Sequence, residues 1–358
     1  MDNKKKLLIA ASGTGGHIYP ALAVAERMKQ NWRISWIGVP DRCESNLIPI
    51  EFEFFAIKAS APQSTGIKLI KEYLVLFICT FKVFNLIKKN KINLVFTTGG
   101  YISVPAILAA KLSGIPVVLH ESNVIPGSVT SLLGKLCDSV ALGFQETSEY
   151  LPKCETIFTG MPLRKEFKEK QPLPNWVPKG SGYLILILGG SQGSIPLNKM
   201  VRRIFRDLLS RGCRIIHIIG NKDYERYSDN HPNLIEVSFT ENIPSLMQNA
   251  DIVISRSGAG TIFELIACKV PSVLIPFPQS RKSHQEFNAL FLAKQGGSII
   301  VKQDLDESFL LKKTLFRILN FNNDSSNKTL FNMRNNMKYI FNNQLKFDFQ
   351  NLFKNITN

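Results

Sequence analysis

Twelve apolar, β-branched runs alternate with helix-length stretches along this chain, and that alternation constrains the fold more than any other feature. The first six are "KLLIAAS", "RISWIGV", "LVFTTGG", "PVVLHES", "SVALGF" and "TIFTGM". The second six are "YLILILGGS", "RIIHIIG", "LIEVSF", "DIVISRSG", "PSVLIPF" and "GSIIVK". Runs that are apolar throughout suit parallel strands covered on both faces, because each crossover helix lays an apolar stripe on the sheet. The expectation is an α/β protein of two Rossmann-like, doubly wound parallel sheets, with ligands at the carboxyl ends of the strands. A length of 358 residues exceeds one comfortable core, and 24 phenylalanines supply bulk for two. The break is placed at residues 160–182, "GMPLRKEFKEKQPLPNWVPKGSG", where proline, glycine and charge cluster as in a linker. Beyond residue 320 the Asn-rich tail keeps helically spaced Leu, Phe, Ile and Met, which reads as one or two closing helices without site residues.

With 44% hydrophobic and 20% charged residues, the composition is that of a soluble globular protein. Six scattered cysteines (Cys43, Cys79, Cys137, Cys154, Cys213, Cys268) contain no CxxC pair. They suggest neither a zinc site nor a disulfide framework, and a reducing cytoplasm is the natural compartment. The start, "MDNKKKLLIAASGTGG", begins like a signal peptide, but glycines interrupt its short apolar run, so it reads as a first core strand. No segment reaches the roughly 18 apolar residues that span a bilayer. The nearest is "IKLIKEYLVLFICTFKVFNLIKKN", residues 67–90, whose uncharged centre is only Tyr73 to Phe81. Two readings fit it: a helix packed on the sheet, or a helix lying at a membrane surface with lysines on anionic headgroups. The net charge of +16 likewise fits either an anionic partner or compositional drift.

Four glycine turns each follow a strand run and precede a helix: "SGTGGHIYP", "TTGGYISVP", "ILGGSQGS" and "SRSGAGTIFE". Glycine lets the backbone turn with positive φ and approach a ligand, and the helix behind presents unpaired N–H groups to an anion. Any one turn has a plain structural reading, whereas four at strand ends suit a diphosphate. The first is not a complete dinucleotide fingerprint: Ile18 stands where the third glycine belongs, and no acid ends "RISWIGV". No GxxxxGK[ST] motif is present, which argues against ATP hydrolysis. His17 lies at the helix start, where it serves either as a cap or as a base; histidines ordinarily titrate at about pH 6.5. His217, mid-strand, reads as core, His120 as structural or ligand-facing, and His231 as incidental. The "DLD" of Asp304 to Asp306 precedes "ESFLLKKTLF" and reads as helix capping, not as a metal site.

In their order, "GTGGHIYPALA", "GGYISVPAILAAKLSGIPVVLHESNVIPG", "GGSQGS", "SRSGAGTIFE" and "HQEFNA" resemble the motifs of a known family. It is the MurG family, undecaprenyldiphospho-muramoylpentapeptide β-N-acetylglucosaminyltransferase, which converts lipid I to lipid II in peptidoglycan synthesis. The resemblance covers nearly the whole chain. It implies a GT-B fold, two Rossmann-like domains facing a cleft. Residues 1–160 would form the acceptor and membrane side, 161–340 the donor side, and 341–358 a helix returning to the first domain. The resemblance also implies site residues for UDP-GlcNAc. Thr14, Gly15 and Gly16 match the first glycine loop, Asn123 the HExN segment and Arg164 the arginine after "GMP". Ser191 falls at the diphosphate, Thr240 where a backbone group meets uracil, and Gln285 at the sugar. Ala259, Gly260, Thr261 and Glu264 match the segment that meets phosphates and ribose. The sequence departs from the family at Ser122, where glutamine is more usual, and at Gly260, where a larger apolar residue is.

The implied reaction is inverting. The C4 hydroxyl of the muramic acid attacks the anomeric carbon of UDP-GlcNAc, His17 takes the proton as catalytic base, and UDP leaves. No cofactor or metal is implied. The implied partners are UDP-GlcNAc, lipid I and an anionic membrane surface, with peripheral attachment to the cytoplasmic face of the bacterial inner membrane. The competing readings are another GT-B transferase acting on a lipid or small metabolite, an NAD-dependent oxidoreductase, and a nucleic-acid binder. The oxidoreductase is disfavoured by Ile18, and the nucleic-acid binder by the lack of any reader motif.

Overall fold

The computed structural model describes residues 4–39, 47–58, 67–190, 193–303, 307–322, 324–344 and 349–357. The chain divides into two compact units, Met1–Arg164 with Lys346–Asn358, and Lys165–Leu345. The first unit holds strands β1 (Lys5–Ala10), β2 (Trp32–Gly38), β3 (Glu53–Ala56), β4 (Leu94–Thr97), β5 (Val117–Glu121), β6 (Ser139–Leu142) and β7 (Thr156–Phe158). They pair in the order β3-β2-β1-β4-β5-β6-β7, and every pairing is parallel. Its helices are α1 (Gly15–Met28), α2 (Ile67–Asn90), α3 (Ser103–Leu112) and α4 (Ser128–Leu133).

Alternation within β1 shows how the sheet is covered. Leu7, Leu8, Ile9 and Ala10 are all fully buried, so no polar face exists. Leu8 and Ala10 pack with Val83 and Ile87 of α2 and with Ala106 and Ala110 of α3. Leu7 and Ile9 pack on the other face with Ala21, Val24 and Met28 of α1. Successive residues of a strand point to opposite faces, so one continuous apolar run serves two helix layers. The second face also receives the closing helix Phe349–Thr357, through Phe349, Leu352 and Phe353. Phe96 meets Phe349 edge-on at 5.5 Å and Phe353 at 5.7 Å between ring centroids.

The second unit repeats the scheme with β8 (Leu184–Leu188), β9 (Arg214–Ile218), β10 (Leu234–Val237), β11 (Ile252–Ser255), β12 (Ser272–Leu274) and β13 (Ser298–Ile300). Its parallel order is β10-β9-β8-β11-β12-β13. The covering helices are α5 (Ile195–Arg202), α6 (Phe205–Leu209), α7 (Ile243–Asn249), α8 (Ala259–Cys268), α9 (His284–Lys294), α10 (Ser308–Ile318) and α11 (Thr329–Gln344). Each sheet is doubly wound: the order reverses between β1 and β4 in the first unit and between β8 and β11 in the second. Open α/β sheets bind ligands outside the carboxyl ends of the strands at such a reversal.

All twelve apolar runs form strands. One further strand, β3, has no such run. It is a short edge strand whose residues are exposed or half-buried, so "EFFA" carries no continuous apolar signal. Helix α2 packs on the sheet, the first reading of residues 67–90, through only part of its length. Its later turns bury Cys79, Thr80, Val83 and Ile87, whereas Ile70, Leu74, Phe77 and Phe81 stand exposed. No helix among the described residues is long and apolar enough to cross a membrane.

Candidate active site

The reversal point of the first sheet is built from the turns after β1 and β4. After β1 the chain passes through Gly13, and Thr14 caps α1 with its carbonyl accepting from the His17 and Ile18 amides at 2.9 and 3.2 Å. No acidic residue occupies the first turn of this 14-residue helix, so its positive end is uncompensated there, at Gly15 and Gly16. His17 lies in that turn, half-buried. Its Nδ1 is 2.7 Å from the carbonyl oxygen of Thr98, just beyond β4. The Thr98 hydroxyl returns a bond to the His17 carbonyl at 2.9 Å.

A carbonyl only accepts, so Nδ1 carries a proton, and in the neutral ring the lone pair is on Nε2. The facing turn keeps that edge clear. Gly100 sits at φ +77°, and a Cβ there would stand 3.7 Å from Nε2. Thr97 and Ser103 stiffen the turn: Thr97 donates to the Ala10 carbonyl at 2.7 Å and shares a short hydroxyl contact with Ser103, which donates to the Gly99 carbonyl at 2.7 Å. A neutral, oriented imidazole with its outer nitrogen bare is what a general base requires.

The turn after β5 is shaped by a buried carboxylate, Glu121. One oxygen accepts from the Asn123 amide at 3.0 Å and from its side-chain nitrogen at 3.3 Å; the other accepts from the Gly127 amide at 2.9 Å and the Thr130 hydroxyl at 2.5 Å. Glu121 thus fixes the Asn123 side chain with its amide nitrogen turned inward. Arg164 stacks over the Tyr19 ring at 4.7 Å, and Arg27 donates to the Leu163 carbonyl at 3.3 Å. Helix α1 therefore carries His17 and also holds the segment that ends in Arg164.

His120, the neighbour of Glu121, proves structural. It is fully buried, accepts from the Ser122 hydroxyl at Nδ1 and donates from Nε2 to the Gly160 carbonyl. Burial drives its pKa down from 6.5 to about 4, against the Gly160 bond. Between those values the unfolded chain binds a proton that the folded one refuses. Stability is therefore full above about pH 6.5 and falls as the pH drops toward 4, by about 3 kcal/mol in all. Urea titrations across that window should show His120→Gln with a flatter pH dependence than the parent; an unchanged slope would refute the assignment.

In the second unit the turn after β8 runs through Gly189, Gly190 and Gly193 to Ser194, which caps α5. Gly193, at φ +74°, admits no side chain: a Cβ would meet the Ile219 carbonyl oxygen at 2.5 Å. Ser191, expected at the diphosphate, lies outside the described residues, as do Asp304 and Asp306. The turn after β11 leads through Gly258 into α8, again with no acid in the first turn. Ala259, Gly260 and Thr261 supply that first turn, and Glu264 follows one turn later than Gly260 and Thr261. The Gln285 carbonyl accepts from Ser257 at 2.7 Å, and its side-chain oxygen accepts from the Phe277 amide at 3.0 Å, which leaves the amide NH2 as its donor end. Thr240, after β10, accepts the Asn242 amide on its hydroxyl at 3.1 Å.

Parallel topology thus gathers Thr14, Gly15, Gly16, His17, Asn123 and Arg164 along the carboxyl edge of the first sheet. Thr240, Ala259, Gly260, Thr261, Glu264 and Gln285 lie along that of the second. Thr98, Glu121, Tyr19 and Arg256 carry contacts there that the sequence reading did not single out. Among the described residues, no three His, Cys, Asp or Glu side chains are grouped to hold a metal ion.

Paired doubly wound sheets with glycine turns at both reversal points define the GT-B class of glycosyltransferase fold. Residues 7–142 match the glycosyltransferase family 28 N-terminal domain, and residues 184–344 match its C-terminal domain. The chain belongs to glycosyltransferase family 28. It is 49% identical over 334 residues to the UDP-N-acetylglucosamine–N-acetylmuramyl-(pentapeptide) pyrophosphoryl-undecaprenol N-acetylglucosamine transferase of Prochlorococcus marinus strain NATL2A, covering 92% of this chain and 94% of the relative. The protein of the same name from strain MIT 9312 is 46% identical over 97% of each chain. The crystal structure of Acinetobacter baumannii MurG superposes with a TM-score of 0.75 at 26% identity, covering 98% of this chain and 99% of that one.

Proposed function

We propose that the chain is an inverting glycosyltransferase that moves GlcNAc from UDP-GlcNAc to the C4 hydroxyl of MurNAc in lipid I, giving lipid II for peptidoglycan. The observation that carries this reading is the near full-length match, 49% identity over 92% of the chain, to a transferase named for that donor and acceptor. The local geometry supplies the chemistry. His17 Nε2 takes the proton of the acceptor hydroxyl as its oxygen bonds to the anomeric carbon. The bond from that carbon to the diphosphate oxygen breaks, and UDP carries away the electron pair. One displacement on an α-linked donor leaves a β-linkage. Thr98 fixes the base and stabilises the imidazolium that forms, in the way a buried acceptor orients a catalytic histidine.

The first turns of α5 and α8 offer amide donors to the departing diphosphate, and such preorganised donors act without reorganising during the reaction. Glu264 serves the ribose hydroxyls and Gln285 the sugar, while Ser191 and the Thr240 backbone serve diphosphate and uracil. Thr14, Gly15, Gly16, Asn123 and Arg164 complete the set of residues for UDP-GlcNAc. The test is incubation with UDP-GlcNAc and lipid I, following UDP release and the lipid product, beside other lipid and small-molecule acceptors. Conversion of lipid I alone supports the reading; preference for another acceptor refutes it.

With a lipid acceptor, the same reading has the enzyme attach peripherally, at the cytoplasmic face of the bacterial inner (plasma) membrane, and the surface of α2 supports attachment to a lipid surface. Ile70, Leu74, Phe77 and Phe81 recur at four, three and four residues, one stripe of α2, and each is more than half exposed. Lys71, Lys82, Lys88 and Lys89 share the helix. An apolar stripe with basic neighbours suits an interface rich in anionic lipid. Phe77→Asp with Phe81→Asp should abolish co-flotation with anionic vesicles while UDP affinity stays unchanged. Undiminished flotation would show that another surface makes the contact.

A further inference from the structure

The second unit contains two arginines that are almost wholly buried, and among the described residues only one of them has a counter-ion. Arg202 is held between Asp223 and Glu236, at 2.9 Å from each. Arg256, the residue after β11, is 5% exposed, and its terminal nitrogens meet only neutral oxygens. Nη1 donates to the carbonyls of Ile275 at 3.0 Å and Pro276 at 3.3 Å. Nη2 donates to the Ser194 hydroxyl at 2.6 Å and, in a short contact, to the Gln303 side-chain oxygen. The Phe277 ring lies 5.5 Å away. Among the described residues no carboxylate stands within ion-pair distance of it. Burial alone lowers its pKa, to about 10.

A buried cation without an anion is costly, and proteins retain one where a ligand supplies the missing charge. The place of Arg256 in the fold says which ligand. It lies at the reversal point between β8 and β11, two residues before the cap of α8, and it grips Ser194, the cap of α5. Both glycine turns of the unit are tied to this one guanidinium, and both present helix N-termini. All three sources of positive potential therefore act on the same group, one with concentrated negative charge. A nucleoside diphosphate is that group, and its charge rises as the glycosyl bond breaks.

We propose that Arg256 is a positioning residue for the diphosphate of the donor. Its fork sets the two glycine turns through Ser194 and the β12 carboxyl end, and its charge, held among neutral oxygens, favours binding and departure of the nucleoside diphosphate. The inference rests on the donor reading above and goes beyond it, because it assigns the charge compensation to a buried side chain of the second turn that the donor reading leaves without a role.

The test uses the full chain with Arg256→Gln and Arg256→Lys, titrated calorimetrically with UDP and with uridine. The glutamine variant keeps donor groups but loses the charge; its UDP affinity should fall roughly 10-fold or more while uridine affinity stays within about twofold. The lysine variant should recover most of the UDP affinity, and kcat of the glutamine variant should fall further than its KM rises. Equal weakening of UDP and uridine would mean a purely structural role and overturn the proposal, as would unchanged UDP affinity. Should the glutamine variant lose its folded circular dichroism, Ser194→Ala tests the positioning half by cutting the link to the first turn: UDP affinity should fall with uridine affinity spared, and equal weakening or no change overturns the proposal. A parent protein that fails to bind UDP overturns the donor reading itself, an outcome distinct from the variants' result.

Discussion

His17→Ala should lower turnover by roughly 10²–10⁴ while leaving UDP-GlcNAc affinity within about twofold. The split follows from where the imidazole stands. Its Nδ1 is engaged by the Thr98 carbonyl at 2.7 Å, so Nε2 is the nitrogen the ring has to offer an acceptor hydroxyl. A base acts on a proton that moves only in the transition state, so its loss appears in kcat and hardly in binding. His17→Gln sharpens the test, because glutamine fills the space and keeps a polar end without titrating near neutrality. Single-turnover measurement with lipid I, beside calorimetry with UDP-GlcNAc, separates the two terms. Unaltered turnover in both variants would remove the base assignment; a loss confined to donor affinity would turn His17 into a diphosphate contact.

The second large effect is on stability. Phe353→Ala should cost about 3–5 kcal/mol and lower the melting temperature of the first unit on the order of 10 °C. Phe353 is fully buried, and it meets Phe96 at 5.7 Å, Phe349 at 5.6 Å and Trp32 at 6.2 Å. The sheet face it covers also carries Leu7, Ile9 and Trp36. Truncation leaves a cavity bounded by a sheet on one side, which cannot collapse to fill it. Calorimetry should show the loss in the first transition only if the two units melt separately; a shift below about 2 °C would mean that the closing helix contributes little to that core. The β1–α1 junction that positions His17 begins on this sheet, so the same variant should lower activity at growth temperature before it lowers activity in the cold.

Much of the fold is legible in the chain because parallel strands buried on both faces leave an unbroken apolar signal. Leu184 to Leu188, "LILIL", reads as a strand without any knowledge of its neighbours. The glycine turns are legible for a related reason. A residue forced to positive φ with no room for a Cβ, such as Gly193, leaves a compositional mark at its own position. The edge strand β3 is not legible, since half-buried residues obey no pattern strong enough to stand out from a loop. The partners that organise the site are illegible for a deeper reason. Thr98 orients His17 through its backbone carbonyl, a group that every residue possesses, so nothing in its side chain announces the role. Glu121 looks like any carboxylate until the Gly127 amide and Thr130 hydroxyl are seen to converge on it.

The sequence by itself determined the α/β class, the two parallel sheets, the places where backbone must turn tightly before a helix, and a histidine at the first of them. These are local matters of hydrophobic period and backbone sterics. Tertiary structure decided which nitrogen of that histidine is bare, because the β1–β4 register brings Ala10 beside Thr97 and so sets Thr98 against His17, 81 residues along the chain. It also decided that Phe353 completes the core begun by Leu7 and that Arg256 lies buried among neutral oxygens. Charge compensation and ring tautomer depend on distances between residues far apart in the chain, and only folding creates those distances.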